Sequence, residues 1–391
     1  MRTSIIAFLI LAVATLGCKK QNENGGSPQS PISKRDTVLG ILLSTREVVA
    51  GQLTTYLTFY DTTGAVKWKR TGNDNGGTPY PAYHNGKVYF PVSTYFPATQ
   101  SGYFTLYNLG INNGAEQWKY RDANASFATP VVVNDTLYVA NYQSLYAFGP
   151  GGNVIYNRPI SNLQPLTPAT DGKYLFLVSA PIMTAFYSMH AFDIKTRSIV
   201  WTVQLGYNPP QSLFVWNDVV CFVDGSLRLQ ALNKNTGAVK WSKTNQQYGT
   251  NVFDDKNVYT FNHQSPDGVY AFDMNSGTQV WKYPYPIQKD HLYLFNKKLY
   301  VMGWSGNKRY MNCVNTTTGD TLWRKPVDIN ASFSAPVVTD RDVIYLKSGM
   351  NDNIARILRF DAETFAAKDS FVVQAAEAGH PKVIMRSGAA Y

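Results

Sequence analysis

Cysteine and histidine are scarce in this chain: 3 and 5 among 391 residues. There is no adjacent cysteine pair, no Cys-x-x-Cys-His haem attachment, no His-Glu-x-x-His helix and no Gly-x-Ser-x-Gly elbow. His84, His190, His263, His291 and His380 are scattered, with no metal-ligand spacing between any two. No metal site and no catalytic residue is therefore expected. Charged residues make up only 16% of the chain, as suits many short half-buried strands. Beyond the N-terminus no apolar run is long enough to span a bilayer.

The N-terminus is different in kind. Arg2, the apolar stretch from Ile5 to Leu16, and Gly17-Cys18 have the layout of an export signal. The small residue before Cys18 resembles a bacterial lipobox, which implies that Cys18 becomes the lipidated first residue of the mature protein. Residues 1–18 are read as this signal and residues 19–36, rich in Gly, Ser, Pro and polar side chains, as a tether. Lys19 stands where an aspartate would retain a lipoprotein at the inner membrane of enteric bacteria, so the resemblance implies a periplasm-facing outer-membrane address.

From residue 37 onward the chain repeats itself. "FDMNSGTQVW" ending at Trp281 recurs as "YDTTGAVKW" to Trp68, "LNKNTGAVKW" to Trp241, "VNTTTGDTLW" to Trp323 and "FDIKTRSIVW" to Trp201. Looser copies end at Trp118 and Tyr156. The aromatics are separated by 50, 38, 45, 40, 40 and 42 residues, a period that indicates a solenoid or propeller. Each period divides into four short strands, such as "TPVVVND", "TLYVANY", "SLYAFGP" and "NVIYNRP". Glycine stands four residues before the aromatic in six copies, and Arg197 in the remaining one. It supplies the positive φ of a hairpin loop that Asp193, Asn233, Asp273 or Asn315 can bond from within. The aromatics are expected to fill the gaps between blades, each burying roughly 150–250 Å² worth about 4–6 kcal/mol before entropy.

Ala271 to Trp281 and Ala231 to Trp241, reading Ala-x-(Asp/Asn)-x-x-x-Gly-x-x-x-Trp at their centre, resemble the tryptophan-docking motif of the PQQ-like eight-bladed propellers. That family includes quinoprotein dehydrogenases and BamB, the lipoprotein of outer-membrane β-barrel assembly. The fold is thus expected to be all-β, an eight-bladed β-propeller of four-stranded antiparallel blades over residues 37–391. The last blade begins near Ser332, with Phe371 replacing the ring tryptophan. "HPKVIMR" at His380 supplies the innermost strand that the first blade lacks, closing the ring within one monomer. Cys221 and Cys313 are expected as buried, inert thiols.

Where such a ring binds follows from its connections. Loops between second and third strands emerge on the same face as the blade-to-blade connections, which carry Phe127, Tyr207, Tyr248, Tyr285, Lys289, His291 and Phe333. The leading reading is a non-catalytic scaffold docking a protein partner at the outer membrane. The alternative readings are a propeller binding a small ligand or glycan, and a PQQ-dependent dehydrogenase. PQQ is not expected, because the vicinal cysteines of those enzymes are absent and Asp122, Asp290 and Asp328 come from separate blades without the family's surrounding motifs. The net charge of +10, or +9 without Arg2, suits an anionic partner, with nucleic acid excluded by export. Lys67, Lys69, Lys119, Lys282 and Arg324 are read as edge-strand charges that oppose pairing between molecules.

Overall fold

The computed structural model describes residues 38–385 apart from 50–51, 73–79, 97–100, 123–127, 165, 181–185, 244–247, 263–267, 284–291, 306–307, 328–330, 334–336, 340, 350–353, 375–376 and 379–381. Its regular elements are all strands, arranged in eight antiparallel sheets that follow one another along the chain. Blade 6 is representative: Tyr248–Phe253, Asn257–Asn262, Gly268–Asp273 and Gln279–Tyr283 pair in that order. Alternate residues face the neighbouring blades, so the core is a series of apolar layers between sheets rather than a single centre. Leu42, Leu57 and Phe59 of blade 1 thus pack with Val88, Phe90 and Leu109 of blade 2.

Blade 1 is assembled from both ends of the chain. Val38–Val49 pairs with Gln52–Tyr60 on one side and with Lys382–Met385 on the other, in the register Leu42↔Lys382, Ile41↔Val383 and Val38↔Met385. Glu377–Ala378 adds a second short pairing, to Arg46 and Thr45. The C-terminal strand expected from the sequence therefore closes the ring and covers the inner edge of Val38–Val49 along this stretch. Blade 8 is similarly split at its inner side, where Ala331–Phe333 and Val337–Val338 both pair with Asp342–Gly349.

The repeated tryptophan and glycine meet across the blade boundary. Trp241 of blade 5 lies on Gly277 in the hairpin of blade 6, and a Cβ on that glycine would stand 2.7 Å from the indole Cδ2. Trp241 Nε1 donates to Met274 O at 2.9 Å, while Met274 N donates to Lys256 O at 2.8 Å in the turn between the first two strands of blade 6. One residue thus ties its own blade together and receives the indole of the preceding one. The same relay runs through Trp68 and Ile111, Trp201 and Lys234, and Trp281 and Thr316. Glycine is required twice over, by its φ of +69° and by the ring lying on it.

Three seams depart from this pattern: ring and glycine both change at Tyr156 and Arg197, only the glycine at Trp323 and Phe365, and only the ring at Phe371 and Gly64. Tyr156 replaces Trp against Arg197, whose φ is +56° and whose guanidinium lies 4.7 Å from the tyrosine ring centroid. At the seam between blades 7 and 8, Phe365 occupies the glycine position at φ +55° and stacks on Trp323 with centroids 4.9 Å apart. Trp323 Nε1 is buried without a hydrogen-bond partner, and Ala362 O receives the Tyr300 hydroxyl at 3.5 Å instead. In blade 8 the ring register position is Asp369, opposite Arg359, yet Phe371 two residues on packs over Gly64 and sets its ring 5.3 Å from that of Tyr60. Phe371 therefore fills the gap between the last blade and the first.

Gly277→Ala is expected to destabilise the protein more than Gly172→Ala, measured by thermal or denaturant unfolding. Both have positive φ, costing about 1–2 kcal/mol for a side chain, but a Cβ at Gly172 meets nothing within 4 Å whereas one at Gly277 meets the Trp241 ring. Equal losses would show that the turn alone demands glycine.

Candidate docking face

The two ends of the ring are chemically different. One carries the tight turns between first and second and between third and fourth strands, and here carboxylates and carboxamides bond the backbone. Asp273 Oδ1 accepts from Asn275 N and Ser276 N at 3.1 and 2.8 Å, and Asp193, Asn233, Asn315 and Asp361 do the same in their own turns. These bonds favour the ionised form, so Asp361 is held down at about 2 with the backbone N–H of Thr364 as the largest cause. Lysines close the same turns: Lys234 to Asp171 at 2.6 Å, Lys240 to Asp218 at 2.8 Å, and Lys368 to Asp342 at 2.8 Å.

The opposite end carries the loops between second and third strands and the connections between blades. Tyr207, in the connection from blade 4 to blade 5, is 62% exposed and sets its ring 4.4 Å from Phe186 of the preceding loop. Tyr142 is 49% exposed in blade 3, in a turn where Asn141 Oδ1 accepts from Gln143 N and Ser144 N. Tyr80 is 50% exposed, and its carbonyl receives Thr129 Oγ1 from the start of blade 3 at 3.1 Å. Leu166, Val48 and Val49 are exposed on the same end. Beside Tyr207, Asn208 Nδ2 donates to Gly225 O at 2.8 Å, and the fully buried Asp224 fixes the loop of blade 5 by accepting from Ser226 N, Arg228 N and the Arg228 guanidinium.

The remaining exposed large hydrophobics all lie on outermost strands. Ile155, Val200, Val280 and Leu322 among them are the extra residues of β-bulges, which precede the ring residue and turn it into the seam. Among the described residues, no large hydrophobic side chain is exposed in the tight turns of the other end. Among the described residues, the large exposed hydrophobic side chains outside the outermost strands thus all lie at the loop end.

The expected docking residues fall as follows. Trp68, Trp118, Tyr156, Trp201, Trp241, Trp281 and Trp323 all lie at blade boundaries. On the loop end Tyr207 is exposed, but Tyr248 is buried: it opens the innermost strand of blade 6, its N–H donates to Leu227 O at 2.8 Å, and its ring meets Tyr270 and Phe272 edge-on. Strand pairing has drawn it out of the connection into the core. Cys18, Phe127, Tyr285, Lys289 and His291 lie outside the described residues; Phe333 is described in its backbone pairing to Lys347. Tyr80, Tyr142 and Leu166 were missed, although each stands beside the Pro, Asn or Gln of a turn segment. Lys69, Lys282 and Arg324 lie over the rings of Tyr56, Tyr270 and Tyr310 on the third strand, an arrangement absent from the edge-charge reading.

Other groups are accounted for inside the blades. Ser179 Oγ lies 2.7 Å from His190 Nε2, and His190 Nδ1 lies 2.9 Å from Thr202 Oγ1. Burial lowers the histidine pKa, and with a hydroxyl rather than a carboxylate as third member this chain of side chains ties three strands together. Cys221 and Cys313 are free and buried, and burial raises both thiols. A quinone with its cation needs converging carboxylates. Asp122 is occupied by the Tyr146 hydroxyl at 2.8 Å, Asp290 and Asp328 lie outside the described residues, and among the described residues no three His, Cys, Asp or Glu side chains form a metal set.

Eight four-stranded blades, the indole-on-glycine seams and closure through the C-terminal strand define a PQQ-like β-propeller. The family model described as "Outer membrane protein assembly factor BamB" matches residues 35–203, 207–283 and 267–368, and the chain belongs to that family. Among solved structures, BamB from Moraxella catarrhalis aligns with a TM-score of 0.57 at 14% identity, covering 78% of this chain and 92% of that one. Dihydro-heme d1 dehydrogenase NirN aligns at 0.62 and 11% identity, over 90% and 77% of the two chains. A europium-containing methanol dehydrogenase aligns at 0.51 and 12%, over 80% and 84%. At these identities the likeness is one of fold. No curated protein sequence matches the chain.

Proposed function

We propose that this protein is a non-catalytic, membrane-anchored extracytoplasmic scaffold whose loop end docks a protein partner, in outer-membrane protein assembly. The observation that carries this reading is that, among the described residues, the large exposed hydrophobic side chains outside the outermost strands all lie at the loop end. Tyrosine rings held by fixed backbone turns offer large contact area at low conformational cost, which is the usual make-up of a protein-binding surface. The family's name supports outer-membrane assembly as the setting, and the lipobox-like Gly17-Cys18 supports an anchor.

Purification from detergent-solubilised outer membrane is expected to bring down a stoichiometric protein partner. Tyr142→Ala combined with Tyr207→Ala is expected to abolish that association while leaving the unfolding midpoint within the small range of exposed substitutions, about 0.5 kcal/mol. Retention of the partner by the double variant would place docking elsewhere.

Cys18→Ser is expected to release the protein into the soluble exported fraction with its unfolding curve unchanged, because Cys18 precedes the first blade strand. A variant that stays in membranes would remove the lipid anchor from this reading.

The scaffold works without a bound quinone. Mixing purified protein with PQQ and calcium is expected to give neither a stoichiometric change in quinone absorbance nor dye reduction with alcohols or aldoses. Tight binding with turnover would instead support the dehydrogenase alternative.

A further inference from the structure

Charge is distributed unequally between the two ends of the ring. In the tight-turn end, aspartates and lysines are interleaved and bonded to one another, as at Asp171, Asp218, Asp342 and Asp361. The loop end is different. Arg121, Arg158, Lys308, Lys325 and Arg356 are exposed there, at or near the strand ends that lead into the loops. Among the described residues none of the five forms an ion pair with a carboxylate; Arg121 lies instead over the Tyr103 ring at 3.9 Å. Described acids on this end are few and engaged: Glu47 with Lys69, Asp122 with Tyr146, and Asp224 with Arg228. The joining segments add Asp74, Asp267, Asp290, Asp328, Asp352 and Glu377 against Lys289, and the cationic excess is kept by Lys243, Lys282, Arg309, Lys347 and Lys382, which stand toward the same ends of their strands.

From this juxtaposition of cations with Tyr80, Tyr142, Leu166 and Tyr207, we infer that the loop end recognises an acidic protein surface bearing apolar side chains. The inference rests on the docking reading above and adds the partner's chemistry. Charge complementarity selects an anionic partner and speeds its encounter. The apolar residues decide which kind of polyanion. Leu166, Val48 and Val49 gain most under a broad apolar cover, which protein side chains supply more fully than the narrow C–H faces of a sulfated or acidic glycan. Their spread over blades 1, 3 and 4, with Tyr207 reaching blade 5, calls for a footprint of protein size. Anionic lipid is disfavoured by the chain path: Val38 and Met385 meet at the tight-turn end, so residues 1–37, which precede Val38, enter the ring there, opposite the cations.

The test uses the full chain with a random glutamate–tyrosine copolymer as an acidic, apolar polypeptide, heparin as an acidic glycan, and vesicles of phosphatidylglycerol with phosphatidylethanolamine. The copolymer is expected to bind, more weakly as salt rises. The triple variant Arg158→Glu, Lys308→Glu and Arg356→Glu is expected to lose about tenfold or more in affinity, equivalent to about 1.4 kcal/mol. Reversal of Lys195, Lys256 and Lys297 on the tight-turn end, each to Glu, is expected to change it less than about twofold. No copolymer binding, or equal loss from both triple variants, overturns the inference. Heparin or vesicles binding more tightly than the copolymer, through the loop-end cations, also overturns it and assigns the surface to a glycan or lipid. The docking reading fails separately: there Tyr142→Ala with Tyr207→Ala leaves the co-purified partner in place, whereas failure of this inference alone leaves partner capture intact in the loop-end charge variant.

Discussion

An indole ring lying on a bare glycine Cα is the contact on which the ring depends. A blade of four strands buries little by itself, and what makes eight of them one body is the apolar layer between adjacent sheets, locked at its outer edge by that contact. Trp241 on Gly277, with Nε1 donating to Met274 O, both fills the wedge and satisfies a carbonyl at the end of a strand. The bulge before each ring residue turns it into the seam, and its cost is the exposed apolar side chain at positions such as Val280 and Leu322. Where the glycine is replaced, the seam is rebuilt around the substitute: Arg197 meets Tyr156, and Phe365 stacks on Trp323 while that indole N–H is left without its carbonyl.

Much of this architecture was legible because a repeat displays the same physical requirement several times. Seven copies of one turn fixed the period, and the Asx residues and positive-φ glycines are where the pattern puts them. Closure by Lys382–Met385 could be read because its Pro-x-Val start echoes Pro130 and Pro336. The sequence explained only half of each glycine, however. Turn chemistry accounts for φ, but the approach of a tryptophan some thirty-five residues earlier is a property of blade stacking and leaves no local mark. The proposed docking face was less legible for a related reason. Tyr207 and Tyr248 look alike as tyrosines in blade connections, yet a strand begins at Tyr248 and buries it, while Tyr207 stays outside. One residue of strand extension decides the difference, and element boundaries are what local pattern specifies least.

The two ends of the ring divide the polar side chains between them. Tight turns consume most of the described aspartates in backbone bonds and lysine pairs, which leaves that end polar and self-satisfied. Loops at the other end are built around fixed points, Asn141 in blade 3 and Asp224 in blade 5, and the same end exposes Tyr142 and Tyr207. A PQQ-like propeller made this way is suited to presenting a preorganised surface, and nothing in the described residues gathers the carboxylates that a quinone site requires.

A double-mutant cycle on one seam measures the central contact most directly. Gly277→Ala, Trp241→Leu and their combination are compared by equilibrium unfolding, with Gly172→Ala and Trp241→Leu as the reference cycle. If the methyl group is costly because it displaces the indole, removing the indole relieves part of that cost, and the first cycle shows a coupling of about 1 kcal/mol or more while the second is additive within about 0.5 kcal/mol. Additivity in both cycles would contradict the account, since the glycine would then serve its turn alone and the blades would be held together by something other than this contact.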